Sequence, residues 1–231
     1  MASDAPTDVG VLIAAAGTGE RAGSGEPKQF RPIGGVPMLL RSIRPFAQHP
    51  RVREIVVALP PEYVDRPPQW LAEVAGGRLR IVGGGVTRAA SVRAALSVLD
   101  PQCEIVLVHD AARPFVSCDT IDRVIDTARK GVCAVPAVAV SDTLKRVDAG
   151  TGLVQETVDR SVLWRARTPQ GFPRAILEEA HARASESDDA TDDAQLTEAL
   201  GYAAEIVEDT PDNLKVTTSV DFLLAEALAA R

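Results

Sequence analysis

Three short constellations along this chain combine residue types that handle phosphate esters. The first follows an apolar run, Val9 to Ala16, and reads Gly17-Thr18-Gly19-Glu20-Arg21, then Gly23, Gly25 and Pro27-Lys28-Gln29. Glycines let backbone N–H groups close on an anion because no Cβ stands in the way. Arg21 and Lys28 add a fixed positive charge on either side of that loop, so the stretch reads as a phosphate cradle. The second is Gly83-Gly84-Gly85-Val86-Thr87-Arg88-Ala89-Ala90-Ser91, a glycine turn in which Thr87 is placed to cap a following helix. By spacing alone it is a common feature. The third is Val108-His109-Asp110-Ala111-Ala112-Arg113-Pro114. A carboxylate at a strand's end beside a nucleotide pocket anchors Mg²⁺, a ribose or a substrate hydroxyl, which makes Asp110 the candidate metal ligand. His109 alternates with apolar neighbours and reads as structural.

The first loop fits neither of the two most familiar phosphate-binding patterns. A dinucleotide-binding loop has G-x-G-x-x-G opening straight into a helix, whereas here a charged, proline-containing segment follows. An ATPase P-loop needs Gly-Lys followed by Ser or Thr, and the segment contains no Gly-Lys pair. A merely flexible surface loop is the bland alternative, and the two cations set among the glycines argue against it.

The elements around these loops alternate. Glu54–Leu59, Leu79–Val82, Ile105–His109 and Gly131–Val140 read as buried strands, with Val9–Ala16 the first. Helical spacing of apolar residues marks 38–47, 87–99, 121–128, 174–185 and 219 to the end, the last with Val220, Leu223, Leu224, Ala227 and Leu228 on one face. Such alternation predicts an α/β fold: a Rossmann-like, mostly parallel sheet with helices on both faces and ligands at the carboxyl ends of the strands. Residues 143–147 and 153–158 break the rhythm. They predict a β-hairpin arm, inserted at about 141–168 in a single domain that otherwise spans 1–231. Asp188-Asp189 and Asp192-Asp193 resemble a metal cluster, but read better as a solvated loop and the first turn of a helix capped by Thr191.

Composition narrows the classes. A chain of 231 residues with 45% hydrophobic content can bury a core, and 4% aromatics leaves Ala, Val, Leu and Ile to pack it. A net charge of −7 argues against a general nucleic-acid surface while allowing a local basic pocket. The leading segment carries Asp4 and Asp8 and no Lys or Arg, and the apolar run is too short to span a bilayer, so it reads as a strand rather than a signal peptide. Three widely spaced cysteines without a C-x-x-C suggest neither a disulfide framework nor a zinc site, and cytoplasmic residence fits best.

The string A-A-G-x-G-x-R, continuing to P-K-Q, resembles the signature loop of nucleotidyltransferases, and within them the 2-C-methyl-D-erythritol 4-phosphate cytidylyltransferase family of the non-mevalonate isoprenoid pathway. G-G-x-x-R-x-x-S, V-H-D-A-A-R-P, D-T-x-K, T-V-D-R, T-P-Q and N-x-K-V-T are similar to further strings of that family, from about residue 9 to residue 217. The resemblance implies CTP, Mg²⁺ and methylerythritol phosphate as the reacting set. It implies nucleotide binding by Ala15, Ala16, Gly17, Thr18, Gly19, Gly84, Gly85 and Ser91, with Arg21 and Lys28 stabilising the transition state. Asp110 and Arg113 would face the sugar-alcohol phosphate. Thr143, Arg160, Thr168 and Lys215 would clamp it, Arg160 and Lys215 positioning the nucleophile. The arm would embrace a second subunit, giving a homodimer in which some arm residues reach the neighbour's pocket. Val86 stands where many members place an acid. A relative transferring a nucleotide to ribitol 5-phosphate or another sugar phosphate, and a nucleotide-sensing protein without turnover, are the rival readings.

Overall fold

The computed structural model describes residues 6–17, 27–72, 74, 77–184 and 190–231. Its main sheet is built on β1 (Val9–Ala14), whose side chains are almost all buried because it lies between two parallel neighbours. After a short two-stranded ribbon, β2 (Pro32–Ile33) and β3 (Val36–Pro37), come α1 (Met38–Ala47), β4 (Val52–Leu59), the short α2 (Gln69–Ala72) and β5 (Leu79–Gly83). There follow α3 (Arg88–Leu96), β6 (Ile105–Asp110), α4 (Cys118–Ala128) and β7 (Cys133–Ala139). β8 (Leu144–Val147) and β9 (Val154–Val158) pair only with each other. β10 (Trp164–Ala166), β11 (Gln170–Pro173), α5 (Arg174–Arg183), α6 (Asp193–Glu198), β12 (Ala204–Glu208) and α7 (Ser219–Ala229) complete the chain.

The strand order is β10-β7-β11-β6-β1-β4-β5, with β12 also paired to β7. β6, β1, β4 and β5 run parallel, as do β7 and β12, so the alternation seen in the sequence does correspond to a mostly parallel α/β sheet. β10 and β11 are the departure: both run antiparallel to their neighbours, and β11 sits between β6 and β7. Period-2 alternation divides the core into two. Val11 and Ile13 point to the face covered by α1 and α4, where they meet Leu39, Ile43, Phe46, Val124 and Ile125. Leu12, Val56, Val106 and Val108 point to the face covered by α3 and α5, where they meet Val92, Leu96 and Leu177.

The β8–β9 hairpin stands apart as its own two-stranded sheet, joined by the turn at 148–152. Leu144, Val147, Leu153, Val154 and nearby Val162 and Trp164 are exposed along and beside it. The last helix turns a different face inward from the one its apolar stripe suggests. Phe222 and Ala225 pack on Ile33, Met38 and Val216, while Val220, Leu223 and Leu224 are exposed. Among the described residues no helix is long and apolar enough to cross a membrane.

This last helix matters to the site because its cap holds Thr217 and Thr218, directly after Lys215 and Val216. Thr218 caps α7 and accepts from Asp221 N. Asp221 Oδ2 accepts from the N–H groups of Thr217 and Thr218 and from the Thr217 hydroxyl, all within 2.8 Å. Burial alone would push the Asp221 carboxyl up, but the donors of Thr217 and Thr218 prevail and hold it down to about 2. An acid in a first turn also suits the helix dipole. Asp221→Ala is expected to cost about 1 kcal/mol, as caps do. Urea unfolding checks it, and an unchanged midpoint would count against the cap.

Candidate active site

Four strands that end together at the carboxyl edge of the sheet hand their chains to loops of the cleft. β1 delivers Ala15, Ala16 and Gly17, β4 delivers Pro60, Pro61 and Glu62, β5 delivers Gly84 to Thr87, and β6 delivers Asp110 to Ala112. The cleft between them has a volume of about 760 Å³ and also takes Lys28, Arg88, Ser91, Lys215 and Thr217. A second cavity of about 220 Å³ adjoins it and is lined by Arg113, Arg167, Thr168, Gln170, Thr191 and Asp192. Arg88, Asp110 and Lys215 border both, so these three side chains form the junction.

Asp110 is the centre of that junction. Its Oδ1 accepts from Arg88 Nε at 3.1 Å, its Oδ2 lies 2.8 Å from Lys215 Nζ, and Arg113 Nε stands 3.8 Å off. Burial alone would push its carboxyl up, but the charges of Arg88 and Lys215 prevail and hold it well below the usual carboxylate range. Three cations thus surround one carboxylate, and the surplus is positive where two cavities meet. Arg113 is fixed by donating from Nη1 to Asn213 O at 2.9 Å, which leaves its buried Nε without a hydrogen-bond partner.

His109 lies beneath this cluster, fully buried. Its Nε2 lies 3.0 Å from Arg113 O and its Nδ1 3.1 Å from Thr168 Oγ1, which in turn accepts from Asp110 N at 3.0 Å. The geometry assigns the proton to Nε2, donating to the carbonyl, and lets the Thr168 hydroxyl donate to Nδ1. The ring therefore holds Thr168 and the 110–113 turn in register, which is the structural role its strand position suggests.

The glycine loop after β5 is packed against β1 rather than left open. Gly84 N donates to Leu59 O at 2.7 Å, and a Cβ on Gly84 would fall 2.1 Å from Ala16 Cβ. On Gly85 it would meet Ala90 Cβ at 2.5 Å. Ser91 Oγ accepts from Gly85 N at 3.1 Å and Thr87 caps α3 through Ala90 N, so the loop is fixed from within its own first helical turn. Val86 is fully exposed at the lip.

Of the residues expected to bind nucleotide, Ala15, Ala16, Gly17, Lys28, Gly84, Gly85 and Ser91 line the larger cleft. Thr18, Gly19 and Arg21 lie outside the described residues. Arg113 and Thr168 line the second cavity, and Asp110 and Lys215 border both. Thr143 and Arg160 are not brought to either cavity within one chain. They flank the arm, where Arg160 donates to Ser141 O.

The structure adds contacts that the motifs do not show, and one residue, Arg167, that no motif marks. Gln29 Nε2 donates to Ala15 O at 2.7 Å and Lys28 Nζ to Val216 O at 3.0 Å, tying the segment after the first loop to β1 and to the C-terminal strap. Arg167, a buried side chain that donates to Thr210 O at 2.7 Å, lines the second cavity. Asp193 lies in the first turn of a helix as the sequence predicts, but it is fully buried against Arg88, which the sequence does not show, and Asp192 rather than Thr191 caps α6. An acidic stretch reads as solvated unless a distant cation is known to meet it, and Arg88 is 105 residues away.

A mostly parallel α/β sheet with a glycine loop, a buried carboxylate and converging cations at its carboxyl edge defines a nucleotidyltransferase. The family model described as 2-C-methyl-D-erythritol 4-phosphate cytidylyltransferase matches residues 9–231. The chain is 43% identical to the protein of that name from Streptomyces coelicolor, across 100% of this chain and 88% of the relative. The crystal structure of the cytidylyltransferase from Thermus thermophilus superposes with a TM-score of 0.79 at 38% identity, covering 97% of this chain and 100% of that one. A structure from Anaerococcus prevotii gives 0.83 at 30% identity over 96% and 98%. The chain belongs to the 2-C-methyl-D-erythritol 4-phosphate cytidylyltransferase family, and is an enzyme of the isoprenoid pathway.

Burial pushes His109 down to about 4, below its ordinary 6.5. The unfolded chain then binds more protons between these values, so folding stability is complete above pH 6.5 and falls as pH drops towards 4, by about 3 kcal/mol at most. Chemical unfolding at stepped pH is expected to show that slope, and a His109→Gln protein to show a flatter one. Equal slopes in both proteins would contradict it.

Proposed function

We propose that this enzyme transfers CMP from CTP to 2-C-methyl-D-erythritol 4-phosphate, releasing pyrophosphate, by in-line attack of the acceptor's phosphate on the α-phosphorus. The observation that carries this reading is the pair of adjoining cavities joined at Asp110, Arg88 and Lys215. The larger suits a nucleotide and the smaller, lined by Arg113, Arg167 and Thr168, suits a short polyol phosphate. The attacking oxygen is already anionic, so no general base is required. The obstacle is repulsion: two like charges at ~4 Å cost about 4 kcal/mol at an effective dielectric of ~20. Lys28, held at the nucleotide side, and Lys215 and Arg113, held at the acceptor side, offset it and stabilise the charge that builds up in the transition state. Arg21 joins Lys28 in this role by resemblance to the family.

Mg²⁺ enters as part of the nucleotide substrate, where it neutralises triphosphate charge. Among the described residues no group of three His, Cys, Asp or Glu is placed to hold a metal. A single carboxylate together with substrate phosphates is nevertheless an ordinary Mg²⁺ environment, and Asp110 is the residue placed to complete it. Both Asp110 oxygens are engaged by cations, so the carboxylate would share its charge among protein and metal.

We assign the exposed arm to a homodimer contact. Its support is the run of exposed Val147, Leu153, Val154 and Val162, and the position of Thr143 and Arg160 away from their own chain's cavities.

Lys28→Ala is expected to lower kcat/KM by about 10²–10³ while the protein folds normally. Pyrophosphate release with CTP and Mg²⁺ checks this, with methylerythritol phosphate and ribitol 5-phosphate offered in parallel. Near wild-type turnover of the variant would refute the assignment, and preference for ribitol phosphate would redirect the acceptor.

A further inference from the structure

Arg88 is held from two sides, and one of the holders lies outside both cavities. Its Nε donates to Asp110 at 3.1 Å and its Nη1 to Asp193 Oδ2 at 2.6 Å. Asp193, in the first turn of α6, has no exposed surface, and its other oxygen accepts from His181 Nε2 at 3.0 Å. His181 comes from α5 and is itself buried. Removing a carboxylate from water costs several kcal/mol, and an apolar residue of similar size would often serve stability as well. A planar guanidinium bonded through two different nitrogens to two fixed carboxylates has little freedom to turn. Arg88 is also the first residue of α3, directly after the Gly84–Thr87 loop, so its position sets how that loop and Ser91 enter the nucleotide cleft.

We propose that Asp193, oriented by His181, is a positioning residue for nucleotide binding: it fixes Arg88, and through Arg88 the Gly84–Ser91 loop against Asp110. The proposal rests on the cytidylyltransferase reading and deepens it. It links the α5–α6 layer to the Gly84–Ser91 loop, although neither Asp193 nor His181 touches either cavity.

The test separates positioning from bulk stability through a KM-against-kcat split. Asp193→Asn keeps the side-chain shape but loses the charge. It is expected to raise KM for CTP about tenfold, with kcat and KM for methylerythritol phosphate changed less than that, because Arg88 keeps its bond to Asp110. His181→Gln, which retains a donor for Asp193, is expected to stay near wild type, whereas His181→Leu raises KM for CTP in the same direction. An unchanged KM for CTP in Asp193→Asn, or the same KM in the two His181 variants, would overturn the proposal. Should Asp193→Asn fail to fold, the His181 pair decides alone. Calorimetric titration of each protein with CTP and Mg²⁺, without acceptor, keeps the two readings apart. Wild type that binds CTP but turns over no methylerythritol phosphate removes the substrate reading, and the dissociation constants then decide the positioning claim by the same tenfold criterion. Wild type that binds no CTP removes both.

Discussion

One buried carboxylate holds the functional end of this molecule together. Asp110 ends the central parallel strand β6, and its charge is stable there because Arg88, Lys215 and Arg113 converge on it from three distant parts of the chain. Each of those cations is in turn fixed by something else: Arg88 by Asp193, Arg113 by the Asn213 carbonyl, and Lys215 by a segment whose end is tied to Asp221. Removing one partner from a buried ion pair typically costs about 3–5 kcal/mol because the other is left uncompensated. The cluster is therefore arranged for close placement of positive charge more than for strength.

That placement answers the physical difficulty of joining two phosphate compounds. A sheet whose strands end together supplies rigid backbone for the loops, and close packing of Gly84 on Ala16 keeps the loop after β5 against β1. Residues 213–217, far along the chain, cross the strand ends and carry Lys215 to the junction, while the Val216 carbonyl takes Lys28. The nucleotide side and the acceptor side of the site thus share a common wall, which charged groups can serve from both faces.

Much of this is legible in the sequence. Apolar runs broken by glycine, or by His-Asp, mark β1, β5 and β6 because buried parallel strands need continuous apolar residues and their loops need small ones. Helices α1 and α4 show their 3.6-residue period because one face of each packs on the sheet. What escapes depends on partners far away in sequence. β11 is only four residues, Gln170–Pro173, and exists as a strand through its pairing with Ile105–Val108. Asp193 is legible as a helix first turn, but its burial shows only once Arg88 and His181 surround it. Arg167 has no local signal, since a lone arginine beside a short strand is more often a surface residue. The apolar stripe of α7 shares one face, but Phe222 and Ala225 make the stronger contact and leave Leu223 and Leu224 outside.

The central claim is that chemistry occurs where the two cavities meet. A crystal structure with CTP and Mg²⁺ measures this most directly. The account requires the α-phosphorus at the junction bordered by Arg88, Asp110 and Lys215, with Lys28 on the triphosphate and the second cavity left open for an acceptor. A nucleotide seated with its α-phosphate away from that junction, and Lys28 still donating to the Val216 carbonyl instead of to phosphate, would contradict it.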